Sequence, residues 1–158
     1  TTAFIGLILA ASALGFLPSN WNPAKIFMGD VGSIPLGFLC AWLLLSLAAE
    51  GMGAGGFILS LVFFVDATIT LFKRLIRGEK IWLAHNQHFY QRAVQRGLSH
   101  SQTTLGAIIA NICLIGIALW STHGNELLAI CAGFTVVGIL FIYYLKFPVP
   151  ELNKTSGT

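Results

Sequence analysis

The stretch "NPAKIFMGDVGSIPLGFLCAWLLLSLAA", residues 22–49, joins a short polar segment to a long apolar run. The polar segment holds one aspartate, Asp30, between two glycines, and the run from Ile34 to Ala49 carries no charged side chain. A helix needs roughly 20 residues to cross the hydrocarbon core, and a shorter run can take a turn from its flank. This stretch therefore predicts a membrane-spanning helix with an acidic residue beside its start.

The composition extends this prediction to the whole chain. Of 158 residues, 56% are hydrophobic and 9% are charged, which lies outside the usual balance of a soluble domain. The predicted fold class is therefore all-α, a multi-pass transmembrane helical bundle in a single membrane domain, 1–158, with a cytoplasmic tail from about residue 147. The five predicted spans are Ala3–Leu17, Ile34–Ala49, Phe57–Phe72, Thr103–Thr122 and Leu127–Leu145.

The basic residues predict the orientation of these spans. Lys and Arg fall in residues 18–33, 73–100 or the C-terminal tail, whereas the connections 50–56 and 121–126 carry none. The two sets alternate along the chain, and the positive-inside rule assigns the basic set to the cytoplasm. The net charge of +3 is thus an orientation signal, and nucleic-acid binding is not expected.

The polar segment around Asp30 has two interpretations. In the first it is a tight turn, in which Gly29 and Gly32 permit positive φ and Ser33 caps the next helix. That interpretation leaves Asp30 unexplained, since a carboxylate at a membrane boundary is costly without a cation. In the second interpretation Asp30 binds Mg²⁺ together with substrate phosphates, and the amides of Gly32, Ser33 and Ile34 add a phosphate site.

Residues 73–100 form a second polar region, predicted to be a long cytoplasmic loop. It can be a basic flank that lies on anionic headgroups. His85 and His88 form an H-x-x-H pair, but no further ligand has suitable spacing, so hydrogen bonding to a substrate is favoured over a zinc site. Asp66, inside an apolar span, either forms an ion pair with Lys73 or Arg74 or belongs to an active site.

Two segments resemble a known family, the polyprenyl-phosphate N-acetylhexosamine-1-phosphate transferases. They are "NPAKIFMGDVGS", residues 22–33, and "VDATITLFKRLIRGEKIWLAHNQHFYQR", residues 65–92. The superfamily includes the phospho-N-acetylmuramoyl-pentapeptide transferase of cell-wall synthesis. The resemblance implies transfer of a sugar 1-phosphate from a UDP-N-acetylhexosamine to polyprenyl (undecaprenyl) phosphate, with release of UMP and a requirement for Mg²⁺. It also implies a bacterial inner-membrane enzyme whose active site lies on the cytoplasmic face.

The resemblance also implies roles for individual residues. Asp30 matches the aspartate that binds the metal at the catalytic centre, while Asn20 and Phe27 match positions that line the uridine pocket. An asparagine can pair with the uracil edge and a phenylalanine can stack on its face. Gly32 and Ser33 complete the predicted substrate-binding segment.

The histidine region departs from the cell-wall enzyme. That enzyme carries consecutive histidines, whereas this chain reads His85-Asn86-Gln87-His88. His85 and His88 are the predicted catalytic histidines, and the departure favours a branch that initiates O-antigen or other cell-envelope polysaccharides. Arg92 either helps to bind phosphates or contacts lipid headgroups.

One family motif is missing from the sequence. The family carries an aspartate-rich loop, but no two adjacent aspartates occur in these 158 residues. We therefore expect the chain to be the C-terminal half of an enzyme of roughly ten or eleven helices, inactive without its N-terminal half. The alternatives are a transporter or channel fragment with Asp66 as an ion relay and a noncatalytic membrane scaffold.

Overall fold

The computed structural model describes residues 2–80 and 87–146, and every regular element in these ranges is an α-helix. All of these helices except the fourth are long and apolar enough to cross a membrane. The predicted all-α, multi-pass architecture with five spans is therefore confirmed, whereas His85 and the predicted tail lie outside the described residues. The helices are α1 (Thr2–Asn20), α2 (Gly29–Ala49), α3 (Gly53–Ile76), α4 (Phe89–Gln95), α5 (His100–Ser121) and α6 (Glu126–Lys146).

The described residues divide into two compact units. The first unit holds residues 2–60 and 114–132, and the second holds residues 61–80, 87–113 and 133–146. Three spanning helices, α3, α5 and α6, contribute one part to each unit. The single membrane domain expected from the sequence stays a prediction, and each unit is described by itself below.

In the first unit, α1 and α2 are antiparallel neighbours. Thr2 Oγ1 donates a hydrogen bond to Glu50 Oε1 at 3.3 Å, which places the start of α1 beside the end of α2. At the other end, the carbonyl of Ser19 accepts hydrogen bonds from the amides of Lys25 and Ile26 at 2.9 and 3.1 Å. Neither helix has a buried residue in this structure, so their apolar surfaces are open to lipid or to other protein segments.

Two adjacent glycines bring α3 close to its neighbours in the first unit. A Cβ atom at Gly56 would lie 3.2 Å from the carbonyl oxygen of Leu44 in α2. At Gly55, a Cβ atom would lie 3.6 Å from the carbonyl oxygen of Ala118 in α5. Small residues allow such close backbone approach between helices in a membrane, where packing rather than exclusion from water drives association.

The second unit contains the end of α3, all of α4, the start of α5 and the end of α6. Tyr144 donates its hydroxyl hydrogen to the carbonyl of Thr103 at 2.7 Å, which joins α6 to α5. Arg96 donates to the carbonyl of Leu145 near the end of α6. Five successive crossings place these three helix ends on one membrane face, and the charge pattern assigns the same ends to one side.

The region 73–100 is more helical than the sequence predicted. The predicted long loop is wrong in three respects. The helix α3 continues to Ile76, α4 covers Phe89–Gln95, and α5 begins at His100. The helix α4 is only seven residues long, too short for a periodic pattern to identify it. Its position nevertheless determines where His88 lies.

The glycine contact of α3 leads to a stability prediction. Replacing Gly56 with valine places side-chain atoms against the rigid backbone of α2, and overpacking of this kind costs about 1 to 3 kcal/mol. Gly56→Val should therefore lower the thermal unfolding midpoint of the detergent-solubilised protein. Gly53→Val is the matched control, because a Cβ atom there lies at an ordinary 3.8 Å from Ala48 Cβ. Equal midpoints for the two variants would contradict the packing described.

Candidate functional site

Asp30 lies in the first turn of α2, in the first unit. The helix begins at Gly29, whose φ of +60° is readily accessible to glycine, and the preceding Met28 provides no side-chain cap. The amides at this helix start, those of Gly29, Asp30 and Val31, therefore lack acceptors within the helix. An exposed carboxylate at such a start is favourable in itself, by about 0.3 to 1 kcal/mol, because it lies at the positive end of the helix dipole.

The turn predicted at Gly32 and Ser33 is wrong. Both residues lie inside α2, beyond its start, so Ser33 does not cap the helix. The helix start assumed for a phosphate site at the amides of Gly32, Ser33 and Ile34 is wrong for the same reason, because amides there bond within the helix. Substrate binding by Gly32 and Ser33 stays a prediction. Gly32 does not have a positive φ either. It gives room to Met28, whose Cγ would lie 2.4 Å from a Cβ atom at this position.

The predicted uridine-binding residues flank the connection between α1 and α2. Asn20, half-buried at the end of α1, donates its side-chain amide to the carbonyl of Ile26 at 3.0 Å. It therefore braces the connection, a structural role that the sequence did not indicate. Phe27 is 80% exposed, and it lies three residues before Asp30. An exposed ring is available for stacking on a planar ligand.

The described residues do not complete a metal site by themselves. Within residues 2–80 and 87–146, no group of three or more His, Cys, Asp or Glu is placed to hold a metal ion. Magnesium is commonly bound through one or two carboxylates, with substrate phosphates and water as the other ligands. Asp30, with its exposed carboxylate, fits the role of one such ligand. A magnesium ion bound there would need further ligands from substrate, water or other residues.

In the second unit, Asp66 is the centre of a hydrogen-bond cluster. Its side chain lies within the apolar part of α3, and the residue is 9% exposed. Asp66 Oδ1 accepts hydrogen bonds from Thr70 Oγ1 at 3.2 Å and from the amide of Phe89 at 3.1 Å. It also lies 3.3 Å from Nδ1 of His88, which is 22 residues further along the chain. The sequence had left the partner of Asp66 open, and the structure shows it beside the predicted catalytic histidine.

The start of α4 holds His88 in this position. His88 has an extended backbone, and its amide donates to Gln91 Oε1 at 3.2 Å, as at the start of a capped helix. The next residue, Phe89, is buried and stacks on Phe141 of α6, with 4.1 Å between ring centroids. Lys73 Nζ lies 5.0 Å from the centroid of the Phe89 ring, a cation–π distance.

A second polar cluster follows the end of α3. Arg74, 4% exposed, donates from Nε to Glu79 Oε2 at 3.0 Å and from Nη2 to the carbonyl of Lys80 at 2.6 Å. Gln87 donates to the same Glu79 oxygen at 3.1 Å. The hydrogen bonds from Arg74, and then from Gln87, hold the pKa of the Glu79 carboxyl below its usual value of 4.5. These hydrogen bonds join the end of α3 to Gln87, the residue before His88.

A cavity of about 510 Å³ opens beside the Asp66 cluster. His88 and Asp66 contribute polar groups to its wall, while Phe141 and other apolar side chains supply most of the remaining surface. A small number of polar groups in an apolar wall is typical of ligand sites. Arg92 is half-buried in the last turn of α4, and nothing in the structure tests its predicted phosphate contact.

The predicted site residues therefore fall into two groups. Asn20, Phe27 and Asp30 belong to the first unit, together with Gly32 and Ser33. His88 and Arg92 belong to the second unit, so the single active site that the resemblance implies for both groups stays a prediction. Sequence reasoning left Asp66 open between an ion pair and an active site, and it did not connect Asp66 with Thr70 or His88.

Comparison with known proteins gives one family match. The family model described as glycosyl transferase family 4 matches residues 1–48, which include α1, the connection 21–28 and almost all of α2. The segment around Asp30 lies inside this match. No solved structure matches the chain.

Several curated bacterial proteins are similar to the chain. A probable undecaprenyl-phosphate N-acetylglucosaminyl 1-phosphate transferase of Bacillus subtilis is 31% identical over 105 residues, 64% of this chain and 29% of that protein. A decaprenyl-phosphate N-acetylglucosaminephosphotransferase of Mycobacterium leprae is 34% identical over 124 residues, which are 65% of this chain and 30% of that protein. A phospho-N-acetylmuramoyl-pentapeptide-transferase of Clostridium beijerinckii is 34% identical over 116 residues, which are 72% of this chain and 35% of that protein. The matched parts cover about a third of each relative.

The packing of Phe89 leads to a second prediction. Phe89→Ala removes the ring that stacks on Phe141 but keeps the backbone amide that bonds Asp66, and truncation of a buried phenylalanine costs about 3 to 5 kcal/mol. The thermal unfolding midpoint in detergent should fall. Phe72→Ala is the control, since Phe72 is 61% exposed in this structure. An equal midpoint for both variants would show that Phe89 does not anchor α4.

Proposed function

Since this chain belongs to glycosyl transferase family 4, we propose that it forms part of an enzyme that transfers an N-acetylhexosamine 1-phosphate from a UDP-sugar to polyprenyl phosphate. The observation that carries the proposal is Asp30. Its exposed carboxylate lies at the start of a spanning helix, three residues after an exposed aromatic ring, within the residues that match the family. A carboxylate suits a metal ion that binds phosphates, and an aromatic ring suits stacking on a nucleotide base.

The chain supplies one part of the enzyme in this proposal. It spans about a third of the relatives described above, and Asp30 alone cannot complete a cation site. We infer that a preceding part of the protein contributes an aspartate-rich loop with further ligands. The exposed surfaces of α1 and α2 are then available for contact with that part.

The proposed reaction is a phosphoryl transfer. An oxygen of the lipid phosphate attacks the β-phosphorus of the UDP-sugar, the bond from that phosphorus to the bridging oxygen breaks, and UMP leaves with that oxygen. A bound magnesium ion supplies neutralisation of the diphosphate charge. Asp30 holds the cation, Phe27 stacks on uracil, and His88 hydrogen-bonds to the reacting substrates. Catalysis then depends mainly on positioning and on electrostatic stabilisation.

The proposed location is the bacterial inner membrane, with the site on the cytoplasmic face. The basic residues between α3 and α5 support this orientation, and a soluble nucleotide donor requires it. The departure at His85 and His88 supports a role in initiating O-antigen or another envelope polysaccharide. The relatives described above are all named as transferases, which supports an enzyme over a transporter with Asp66 as ion relay.

Replacement of Asp30 tests the proposed metal site. Asp30→Asn keeps the side-chain shape but removes the charge, so magnesium-dependent release of UMP by the complete enzyme should be abolished, while the protein remains folded in the membrane. Glu126→Gln is the matched control, because Glu126 is also an acid in the first turn of a spanning helix. Near-normal turnover of the Asp30→Asn enzyme would show that Asp30 does not hold the metal.

Replacement of Phe27 tests the proposed uridine contact. Uracil lies away from the reacting phosphorus, so the stacking is present in both the ground state and the transition state. Phe27→Ala should raise KM for the UDP-sugar about five- to 150-fold, corresponding to roughly 1 to 3 kcal/mol, with a smaller effect on kcat. The measurement is steady-state kinetics at saturating lipid phosphate and magnesium.

The control for Phe27 is its neighbour Ile26. Ile26 is 55% exposed and apolar, but it has no aromatic face. Ile26→Ala should leave KM for the UDP-sugar close to the wild-type value. An unchanged KM in Phe27→Ala would mean that Phe27 is an ordinary interfacial aromatic residue.

A further inference from the structure

The contact between Asp66 and His88 depends on which ring nitrogen carries a proton. Asp66 Oδ1 lies 3.3 Å from His88 Nδ1, and an ionised carboxylate can only accept hydrogen bonds. A proton on Nδ1 makes this contact a hydrogen bond, whereas a lone pair there would oppose the negative oxygen. The proton assignment therefore decides whether the cluster is attractive.

A competing donor faces the same histidine ring. His88 precedes α4 in a capping-box arrangement, in which the backbone amide of Gln91 points toward the His88 side chain. That amide favours a lone pair on the ring, which is the opposite requirement. Hydrogen bonds to a charged acceptor are roughly twice as strong as those between neutral groups, so the carboxylate prevails over the amide.

We propose that Asp66 is a positioning residue that holds the proton on Nδ1 of His88, so that Nε2 of the neutral ring is a hydrogen-bond acceptor for the substrates. The proposal rests on the proposed function, because it assigns His88 to the transfer reaction. Nε2 then suits a donor group, such as a hydroxyl of the sugar or of a protonated lipid phosphate. In many histidine sites, a hydrogen-bond partner on one ring nitrogen fixes the orientation of the ring and so positions the other nitrogen.

Burial explains why Asp66 can perform this task. The residue is 9% exposed in an apolar part of α3, and the ring of Phe89, next to His88, is buried against Phe141. Water therefore competes weakly for the carboxylate, which strengthens its bond to the ring. Thr70 and the amide of Phe89 hold the same oxygen in place, so the acceptor position is fixed before any substrate binds.

The direct test is the protonation state of the ring. The complete protein is labelled with ¹⁵N-histidine in detergent, and the His88 signal is identified by its loss in His88→Asn. In the wild type, Nδ1 should carry the proton. In Asp66→Asn, whose side-chain carbonyl is a weaker acceptor, the proton should shift toward Nε2. A wild-type ring protonated only on Nε2 would overturn the proposal.

Kinetics of the complete enzyme provide an independent readout. Asp66→Asn should lower kcat by roughly 10- to 100-fold, the range found when partners that orient metal-bound histidines are replaced, with KM for the UDP-sugar nearly unchanged. Because Asp66 acts through His88, adding Asp66→Asn to His88→Asn should cause no further loss. Losses that multiply in the double variant would mean that Asp66 does not act through His88.

Thr70→Val is the matched control for a purely structural role. It removes one hydrogen bond to the same carboxylate oxygen but leaves the His88 contact. Thermal stability should fall in both Thr70→Val and Asp66→Asn, whereas only Asp66→Asn should move the proton and lower kcat. Equal effects of the two variants on all three measurements would refute positioning. A wild-type enzyme that releases no UMP would refute the proposed function, while the ¹⁵N measurement would still test the proton assignment.

Discussion

A carboxylate buried in an apolar helix is the constraint on which the second unit depends. An uncompensated charge there costs several kcal/mol, so Asp66 requires donors. The helix α3 supplies the side-chain donor Thr70, while its backbone amides are bonded along the helix. The amide of Phe89 is a further hydrogen-bond donor to Asp66, and it is available because the first amides of a helix have no partner within that helix. The start of α4, and His88 with it, is therefore fixed to α3.

The sequence predicted the features that the membrane imposes on each span separately. Apolar length identified all five spans, and the alternating charge agrees with the helix ends that pack together in the second unit. The sequence did not predict the features that depend on neighbouring parts of the structure. The backbone of the preceding connection leads into α2 at Gly29. The capping preference of Ser33 therefore did not determine where the helix begins. The contact between Asp66 and His88 spans 22 residues and depends on tertiary packing, which no local pattern encodes.

The two aspartates illustrate opposite uses of the same side chain. Asp30 is exposed at an uncapped helix start, where the local field favours its charge and where its oxygens remain accessible to a cation. Asp66 is buried, and its Oδ1 atom already accepts hydrogen bonds from Thr70 and the amide of Phe89 and lies 3.3 Å from Nδ1 of His88. An accessible carboxylate suits exchangeable ligands, whereas an enclosed one suits fixed geometry. Their surroundings, rather than their identity, thus separate the proposed metal ligand from the proposed positioning residue.

The joined ends of the segment before His88 have a consequence for the length of that segment. Arg74 and Gln87 both donate hydrogen bonds to Glu79, so the end of α3 is joined to the residue before His88. Lengthening a closed segment is inexpensive, about 0.6 kcal/mol for each doubling of its length. A change of length between Lys80 and Gln87 is therefore compatible with the contact between Asp66 and His88. The packing that places the histidine is thus independent of how long the preceding segment is.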